Sequence, residues 1–300
     1  MKSIYTKVGI GQLCMLFGKT RHAFYDKFWN EQERLQAASA VLEMVSEIRR
    51  EIPGIGTPKL HYMLRKPLKT QGIKMGRDAL HRLLFDYGMT IKHKKRYAIT
   101  TNSRHWMKKY PNLIKGLVAS ESEQIWVADI TYIMVEDDFN FLNLIPMYRD
   151  SKRIMGYCLH TTLEAEGTLI ALRMALKNRQ KSNPLIHHSD RGSQYCCADY
   201  VALLHSASIA ISMTENGDPY ENAVAERVNG ILKEDFKLCQ KFENRENALV
   251  IIEKSIRAYN ELRPHMSCNY LTPSEAHKMT GILVKKWKPK SYSKPITATI

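Results

Sequence analysis

Hydrophobic positions in the first 90 residues recur at helical spacing. Apolar residues repeat every three or four positions over residues 31–50, and the run ends at Ile52-Pro53-Gly54, which predicts a helix. Thr57-Pro58 predicts the start of the next helix, because threonine caps a helix N-terminus and proline suits the first helical position. Another helix is predicted from Gly76 to Tyr87. This part of the chain is therefore expected to be all-α.

Two places in this region have the pattern of a helix-turn-helix. A short apolar segment leads to Gly18, and a helix with basic polar positions, Arg21 among them, is predicted to begin near Thr20. Residues 72–75 separate two later helices in the same manner. A basic second helix is typical of DNA binding, with Arg21 as a candidate contact. An ordinary helical hairpin would show the same pattern.

Beyond residue 123 the hydrophobic period becomes that of β-strands. The predicted order is β-β-β-α-β-α-β-α-α, a three-strand meander followed by strands that alternate with helices. This order predicts an α/β fold with a mixed five-stranded sheet covered by helices, in which the first and fourth strands can lie side by side. The strands are predicted at 125–135, 139–148, 153–162, 185–188 and 209–213, and the main helices at 164–179, 196–207, around Glu226 and at 244–262.

Charge is distributed unevenly along the 300 residues, whose formal net charge is +15. Residues 1–118 contain 23 Lys and Arg against 8 Asp and Glu, whereas residues 119–275 contain 16 against 22. The last 25 residues contain 6 Lys and no acid. Basic arms hold a polyanion and an acidic centre can hold divalent cations, although solvated surface charge is the simpler alternative.

The basic stretch at residues 92–109 contains no acid and is predicted to be an extended linker that follows DNA phosphates. Lys94, Lys95 and Arg96 are its candidate DNA contacts. A solvated tether between domains is the alternative. The six cysteines show no regular spacing, which is typical of a reduced cytoplasmic protein, and no apolar run reaches the roughly 18 residues of a membrane span.

Three acids stand in apolar surroundings beyond this linker. Asp129 lies within the predicted first strand, Asp190 ends the fourth, and Glu226 lies in a helical pattern. For any one of these acids, a role as a cap, an ion-pair partner or a surface group is the favoured explanation. Together they predict one oxygen-rich site for Mg²⁺ or Mn²⁺, since these ions prefer carboxylate ligands. Two such ions, roughly 3.5–4 Å apart, would activate the attacking oxygen and stabilise the leaving oxygen at a phosphodiester.

The helix around Glu226 has two distinct faces. Val228 and its apolar neighbours form the predicted core face, and Glu226 is expected to point away from it. Lys233 lies on the face of Glu226 two turns later and is a candidate phosphate contact. The polar face contains Asn222, Glu226, Asn229, Lys233 and Lys237.

These motifs carry a resemblance to a known family. Asp129-Ile130-Thr131-Tyr132, the stretch from His188 to Tyr195, and Glu226, 36 positions after Asp190, resemble the DDE transposase and retroviral integrase superfamily. The flanking stretches 217–223, 259–265 and 271–273 narrow the resemblance to bacterial insertion-sequence transposases with two overlapping reading frames. The chain resembles the product of the second frame, OrfB, over nearly its whole length.

The resemblance implies an RNase H-like integrase core and DNA strand transfer, in which a 3′-hydroxyl attacks a phosphodiester held by metal ions on the three acids. It also implies double-stranded DNA as substrate, a homo-oligomer on DNA, and an upstream-frame protein or a fusion with it. Arg191, Gln194, Asn222 and Lys233 are then candidate DNA contacts in a bacterial, nucleoid-associated protein without a membrane partner. The expected map is a helical DNA-binding region (1–90), a basic linker (91–118), the catalytic core (119–275) and a basic tail (276–300).

Two other functions are compatible with parts of this pattern. A ribonuclease H-type or repair nuclease would use the same three acids, but the tandem helical units upstream argue against it. A non-catalytic DNA-binding regulator would explain the basic N-terminal part, but not the complete set of acids. Transposition accounts for both features.

Overall fold

The computed structural model describes residues 7–91, 106–117, 122–148, 151–215 and 222–279. Contacts within the chain define two compact units, one made of residues 1–50 and 63–90 and the other of residues 51–62 and 91–300. The segment 51–62, which we expected within the N-terminal region, thus belongs to the second unit. Lys94, Lys95, Arg96 and most of the basic tail lie outside the described residues.

The N-terminal helices follow the predicted pattern, with one difference. Helix α1 (Ile10–Leu16) ends before Gly18, whose positive φ of 61° makes the turn. Helix α2 (Arg21–Glu51) is a single helix of 31 residues. It joins the helix predicted to begin near Thr20 to the helix predicted over residues 31–50. Its start is capped by Thr20, whose Oγ1 accepts a hydrogen bond from the Ala23 N–H at 3.1 Å. Helices α3 (Thr57–Thr70) and α4 (Arg77–Asp86) follow.

Seven strands among the described residues form two hydrogen-bonded ladders in the second unit. One ladder has the order β1-β5-β6, with all pairs parallel, and the other has the order β4-β3-β2-β7. The strands are β1 (Ile125–Val127), β2 (Asp129–Val135), β3 (Asp138–Pro146), β4 (Ile154–His160), β5 (Ile186–Ser189), β6 (Ala210–Met213) and β7 (Lys241–Phe242).

The predicted first strand is divided at Ala128, which separates β1 from β2. On one side β1 pairs with β5, so the predicted neighbours, the first and fourth strands, do lie side by side. On the other side β2 pairs antiparallel with β3. A bridge between Trp126 and Met147 joins the two ladders across the division. The strand breaks at Ala128, directly before Asp129. The chain therefore pairs with β5 before the break and with β3 after it.

Helices cover this mixed sheet around an apolar core. The core includes Trp126 from β1, Leu172 from α5 and Tyr200 from α7, all of which are fully buried. The predicted helix 196–207 is divided into α6 and α7 at Cys197, where the backbone is extended. The helices are α5 (Ala165–Lys177), α6 (Ser193–Cys196), α7 (Ala198–Ser206), α8 (Ala223–Asp235), α9 (Arg245–Glu261) and α10 (Pro273–His277), with a short 3-10 helix at Met266–Cys268.

Residues on both sides of 119–275, the range predicted for the catalytic core, pack within the second unit. Part of the predicted linker packs on the sheet, where the Leu113 N–H donates to Ser212 Oγ at 2.8 Å. The Met213 N–H likewise donates to the carbonyl of Pro111 at 3.2 Å. At the other end α10 extends to His277, which is buried. The compact core thus includes residues before and after the expected range.

Candidate active site

Strand pairing places Asp129 and Asp190 beside each other. Val127 is in register with His188, and the Ala128 N–H donates to the His188 carbonyl at 2.9 Å. Asp129 and Asp190 each follow this pair within two residues. Both line one cavity of about 340 Å³. The position of two acids at the carboxyl ends of neighbouring parallel strands therefore matches the prediction from strand order.

The turn after β5 holds the side chain of Asp190. The N–H of Gly192 donates to Asp190 Oδ1 at 3.0 Å. A Cβ atom at Gly192 would lie 3.1 Å from this same oxygen and 2.8 Å from Gln194 Oε1. The glycine in Asp190-Arg191-Gly192 thus lets the backbone approach the carboxylate closely.

Glu226 lies in the first turn of α8, and its side chain is exposed, as predicted. Two asparagines of the same helix are buried instead, although we predicted them on its outward polar face. Asn222 Nδ2 donates to the Ala128 carbonyl at 3.0 Å, and Asn229 Nδ2 donates to Asp129 Oδ2 at 2.7 Å. The reason is that this face packs on the break between β1 and β2. The asparagines therefore attach α8 to the strand that carries Asp129.

The pKa of Asp129 is raised to about 7, first by desolvation and then by the negative charge of Asp190. Glu226 also raises it, whereas the hydrogen bonds from Asn229 and from the Ile130 backbone lower it. Burial raises the pKa of Glu226 as well. The three acids are consequently close enough to interact electrostatically, and their negative charges oppose one another.

The three carboxylates are not yet arranged around a common point. Among the described residues, no group of three or more His, Cys, Asp and Glu side chains has the geometry of a metal site. Asp129 and Asp190 share a cavity, whereas Glu226 is not among the residues that line it. A divalent ion would fit the chemistry of these donors, since all are carboxylates and their mutual repulsion would be relieved. Reorientation of the exposed Glu226 side chain would be needed to complete such a site.

The predicted DNA-contacting residues have different environments. Arg21 is exposed at the start of α2, Lys233 is half-buried near the end of α8, and Arg191 is half-buried beside Asp190. Gln194 Nε2 donates to the Leu163 carbonyl at 2.7 Å. Asn222, also predicted to contact DNA, is buried and donates a hydrogen bond to the Ala128 carbonyl.

Sequence reasoning missed several residues of this site. Asn229 was on the analysed helix face, three positions after Glu226, and that spacing was the available signal for a role beside the acids. Tyr132, Leu163 and Glu164 also line the cavity. Nothing in the local pattern indicates Leu163 or Glu164, because the loop before α5 reaches the cavity only through the folding of the sheet.

A mixed sheet with acids at the ends of two paired strands, and a third acid on a following helix, defines an integrase-type core. Matches to models of the integrase core domain cover residues 119–219 and 207–273. The chain is 33% identical over 269 residues to the "Insertion element IS600 uncharacterized 31 kDa protein" of Shigella sonnei, covering 87% of this chain and 96% of that protein. It is 28% identical over 247 residues to "Transposase InsF for insertion sequence IS3A" of Escherichia coli K12, covering 82% and 83%.

The chain belongs to the IS3 family of DDE transposases and contains an integrase core domain. It is a DNA transposase, an enzyme of the polynucleotidyl transferase type that serves the movement of an insertion sequence. Transposases of this family act on DNA.

Solved structures are similar at lower identity. One is the HTLV-2 integrase catalytic core domain in complex with magnesium, which is 19% identical with a TM-score of 0.43 and covers 52% of this chain and 97% of that one. Among the described residues, no helix is long and apolar enough to cross a membrane.

Proposed function

We propose that Asp129, Asp190 and Glu226 are the catalytic acids of this transposase and hold two Mg²⁺ or Mn²⁺ ions. When bound, the ions would activate the attacking 3′-hydroxyl and stabilise the leaving oxygen of the phosphodiester. The chain's own residues supply the geometry. Asp129 and Asp190 project from adjacent strand ends, and Glu226 approaches from the first turn of α8.

The observation that carries this proposal is that Asp129 and Asp190 follow the ends of two paired parallel strands and line one cavity, and that the helix of Glu226 is hydrogen-bonded to Asp129. The raised pKa of Asp129 supports it. Its pKa lies at about 7 because of desolvation and because Asp190 and Glu226 repel its negative charge. Asp190 and Glu226 both disfavour the charged form of Asp129, and a bound cation would relieve this repulsion. The hydrogen bond from Asn229 keeps the Asp129 carboxylate available to the ion, since it favours the ionised form.

We further propose that DNA is held by basic residues on both sides of the acids. Lys233 lies seven positions after Glu226, so it is roughly 10 Å farther along the same helix. Arg191 adjoins Asp190, Gln194 lines the cavity, and Lys94, Lys95 and Arg96 lie in the basic stretch before the core. Arg21, at the start of the second helix of the α1–α2 pair, is the candidate contact of a helix-turn-helix unit.

The cellular setting that we propose follows from the substrate. Element ends are brought together on double-stranded DNA by a homo-oligomer of this chain, and a protein of an upstream frame, or a fusion with it, contributes to end recognition. The protein then acts in the bacterial cytoplasm at the nucleoid. Residues 1–90 serve DNA binding, 91–118 link them to the core, 119–275 carry the chemistry and 276–300 add a basic tail.

Asp190→Asn tests the catalytic assignment. We expect Mg²⁺-dependent joining of DNA that carries the element ends to be abolished, because one ligand loses its charge, while affinity for the same DNA changes less than about twofold. Gel-based joining and fluorescence anisotropy measure the two properties. Asp199→Asn is the matched control, since Asp199 is an exposed acid of α7. Full joining by Asp190→Asn would refute the assignment.

A further inference from the structure

The stretch Tyr259–His265 contributes to the family resemblance, but it lies far along the chain from each of the three acids. It forms the end of α9 and the turn that follows. Arg263 within it is almost fully buried, at 1% exposure. Its Nε and Nη2 atoms lie 2.8 and 2.7 Å from Oδ2 of Asp235, a residue that is itself buried. The motif therefore ends in a buried ion pair with another helix.

Asp235 is the last residue of α8, the helix that carries Glu226 in its first turn. A negative side chain at this end of a helix is unfavourable, because the helix dipole is also negative there. The unfavourable placement is offset by Arg263, which brings a positive charge to the same point. Asp235 is therefore better explained by its partner than by any preference of the helix.

A second contact holds the same end of α8. The Gly54 N–H donates to the Asp235 carbonyl at 2.7 Å, which satisfies one of the backbone acceptors left open at a helix C-terminus. A Cβ atom on residue 54 would lie 2.3 Å from the Glu234 carbonyl oxygen. Only glycine thus permits this approach, and α8 is fixed at its end by both side-chain and backbone contacts.

A further donor of Arg263 and the end of α9 are also engaged. Nη1 of Arg263 lies 2.9 Å from Nε2 of His265. Because a guanidinium group only donates, His265 accepts with Nε2 and is neutral. Asn260 pairs with both the N–H and the carbonyl of Ile154 at 2.9 and 3.1 Å. The motif thereby connects strand β4 to the end of α8.

We propose that Arg263 is a positioning residue for the transposase reaction, and that its pair with Asp235, together with Gly54, sets the orientation of α8 and hence of Glu226. This inference rests on the catalytic role of Glu226 proposed above. Asn222 and Asn229 hold the first half of α8 on the strand break at Ala128. Arg263 and Gly54 hold the other end, about 13 Å from Glu226 along the helix axis.

Small rotations of α8 are sufficient to displace the Glu226 carboxylate by a distance that affects the reaction rate. The end of a helical side chain lies about 5–6 Å from the helix axis, so a rotation of about 10° moves a carboxylate by about 1 Å. A displacement of this size in a catalytic group can cost on the order of 100-fold in rate. A buried ion pair, in contrast, often adds little stability relative to apolar side chains of similar volume. Orientation is therefore the property that this pair is suited to provide.

Arg263→Met and the paired variant Arg263→Met with Asp235→Leu separate orientation from stability. The single change leaves Asp235 buried without its partner, whereas the paired change replaces the ion pair by apolar side chains and is expected to restore the unfolding midpoint. We expect both variants to join element ends at least tenfold more slowly than wild type. We also expect at least tenfold weaker Mn²⁺ binding, measured by calorimetry without DNA. Affinity for end DNA should remain within about twofold.

His277→Gln is the matched control for lost stability. His277 forms another buried pair of this unit, 3.2 Å from Glu123, and this pair involves neither α8 nor the three acids. We expect it to lower the unfolding midpoint with wild-type joining and Mn²⁺ affinity. Arg263→Lys should recover part of the joining rate, because lysine retains the charge but not the planar set of donors.

Three results distinguish a role of Arg263 in orienting α8 from a role in stabilising the fold alone. Wild-type joining and Mn²⁺ affinity in the paired variant would overturn the proposal. Equal losses of joining in Arg263→Met and in His277→Gln, at equal unfolding midpoints, would show that Arg263 only stabilises the fold. Glu226→Gln tests the underlying assumption separately: undiminished joining by that variant would refute the catalytic role of Glu226 whatever the Arg263 variants show.

Discussion

At Asp129, opposing influences act on a single carboxyl group. Desolvation, Asp190 and Glu226 raise its pKa, while the hydrogen bonds from Asn229 and the Ile130 backbone lower it, and the pKa settles at about 7. Near neutral pH a proton therefore competes with a metal ion for this carboxylate. The ionised Asp129 carboxylate therefore lowers the stability of the fold, as expected of a residue that is retained for catalysis.

The hydrogen bond from Asn229 can be tested through the pH dependence of metal binding. Asn229→Ala removes a donor that favours the ionised form, so the pKa of Asp129 rises further. One such bond is worth about one pKa unit. We expect the midpoint of Mn²⁺ binding against pH to move upward by about that amount, as measured by calorimetry between pH 6 and 9. Asn178→Ala, which removes a bond to the Met155 carbonyl remote from the acids, should leave the midpoint unchanged.

The same raised pKa predicts how stability varies with pH in metal-free protein. The folded chain retains a proton on Asp129 up to about pH 7, whereas the unfolded chain releases it near the ordinary value of about 3.9. The contribution of this group to the free energy of unfolding therefore falls as pH rises between these values, by on the order of 4 kcal/mol.

Asp129→Asn removes this titration. We expect urea denaturation in the presence of a chelator to show the variant more stable than wild type at pH 8, with the difference vanishing near pH 4. A stability difference that is independent of pH would contradict the assigned pKa.

At the scale of elements, close packing between helix and strand depends on particular glycines. Gly156 of β4 faces α5, and a Cβ atom there would lie 2.0 Å from the Ala171 carbonyl oxygen and 2.8 Å from the Ala175 nitrogen. Both neighbours are backbone atoms of a helix, so they cannot rotate away. The separation between α5 and the sheet is therefore set by the absence of a side chain at this position.

Gly156→Ala should destabilise the second unit by about 3 kcal/mol or more, because α5 must move away from the sheet. Chemical denaturation monitored by circular dichroism measures the change. Gly230→Ala provides the contrast, since Gly230 lies within α8 with no atom within 4 Å of the added Cβ. That substitution should stabilise the protein by about 0.5–1 kcal/mol through helix propensity. Equal effects of the two substitutions would show that the contact at Gly156 is not limiting.

At the scale of the whole molecule, charge and chemistry are divided along the chain. Residues 1–118 carry a net charge of +15 and residues 119–275 a net charge of −6. An acidic core that acts on DNA needs an attraction from elsewhere to overcome repulsion by phosphates. We propose that the basic segments before and after the core provide it, in which case counterion release makes that attraction dependent on salt.

Neutralising Lys94, Lys95 and Arg96 together should reduce the salt dependence of DNA binding. Each phosphate contact contributes about 0.9 to the slope of log K against log salt concentration, so the loss of three contacts lowers the slope by about 2.7. Anisotropy titrations between 50 and 300 mM salt measure it. Three exposed basic residues of the core, Lys177, Lys254 and Arg257, form the control set. An equal reduction with the control set would show that the stretch is not a specific contact.

Local pattern was sufficient to predict most elements of the fold, and it singled out the three acids as a candidate site. The period of two in residues 125–135 and the period of 3.6 around Glu226 reflect burial on one face, which neighbouring residues alone determine. The break at Ala128 was not predictable in this way, because no glycine or proline marks it within residues 125–135. Its division arises from two different partners, β5 and β3, which lie far away in sequence.

The sequence by itself determined the order of strands and helices, the segregation of charge and the three acids with their family resemblance, since each depends on residue type and spacing. Only the tertiary structure decided that Asn222 and Asn229 turn inward to the strand of Asp129. It also decided that Gly54 and Arg263 meet at the end of the Glu226 helix. These contacts join residues 28 to 181 positions apart. Such pairings follow from the packing of whole elements, for which local periodicity carries no signal.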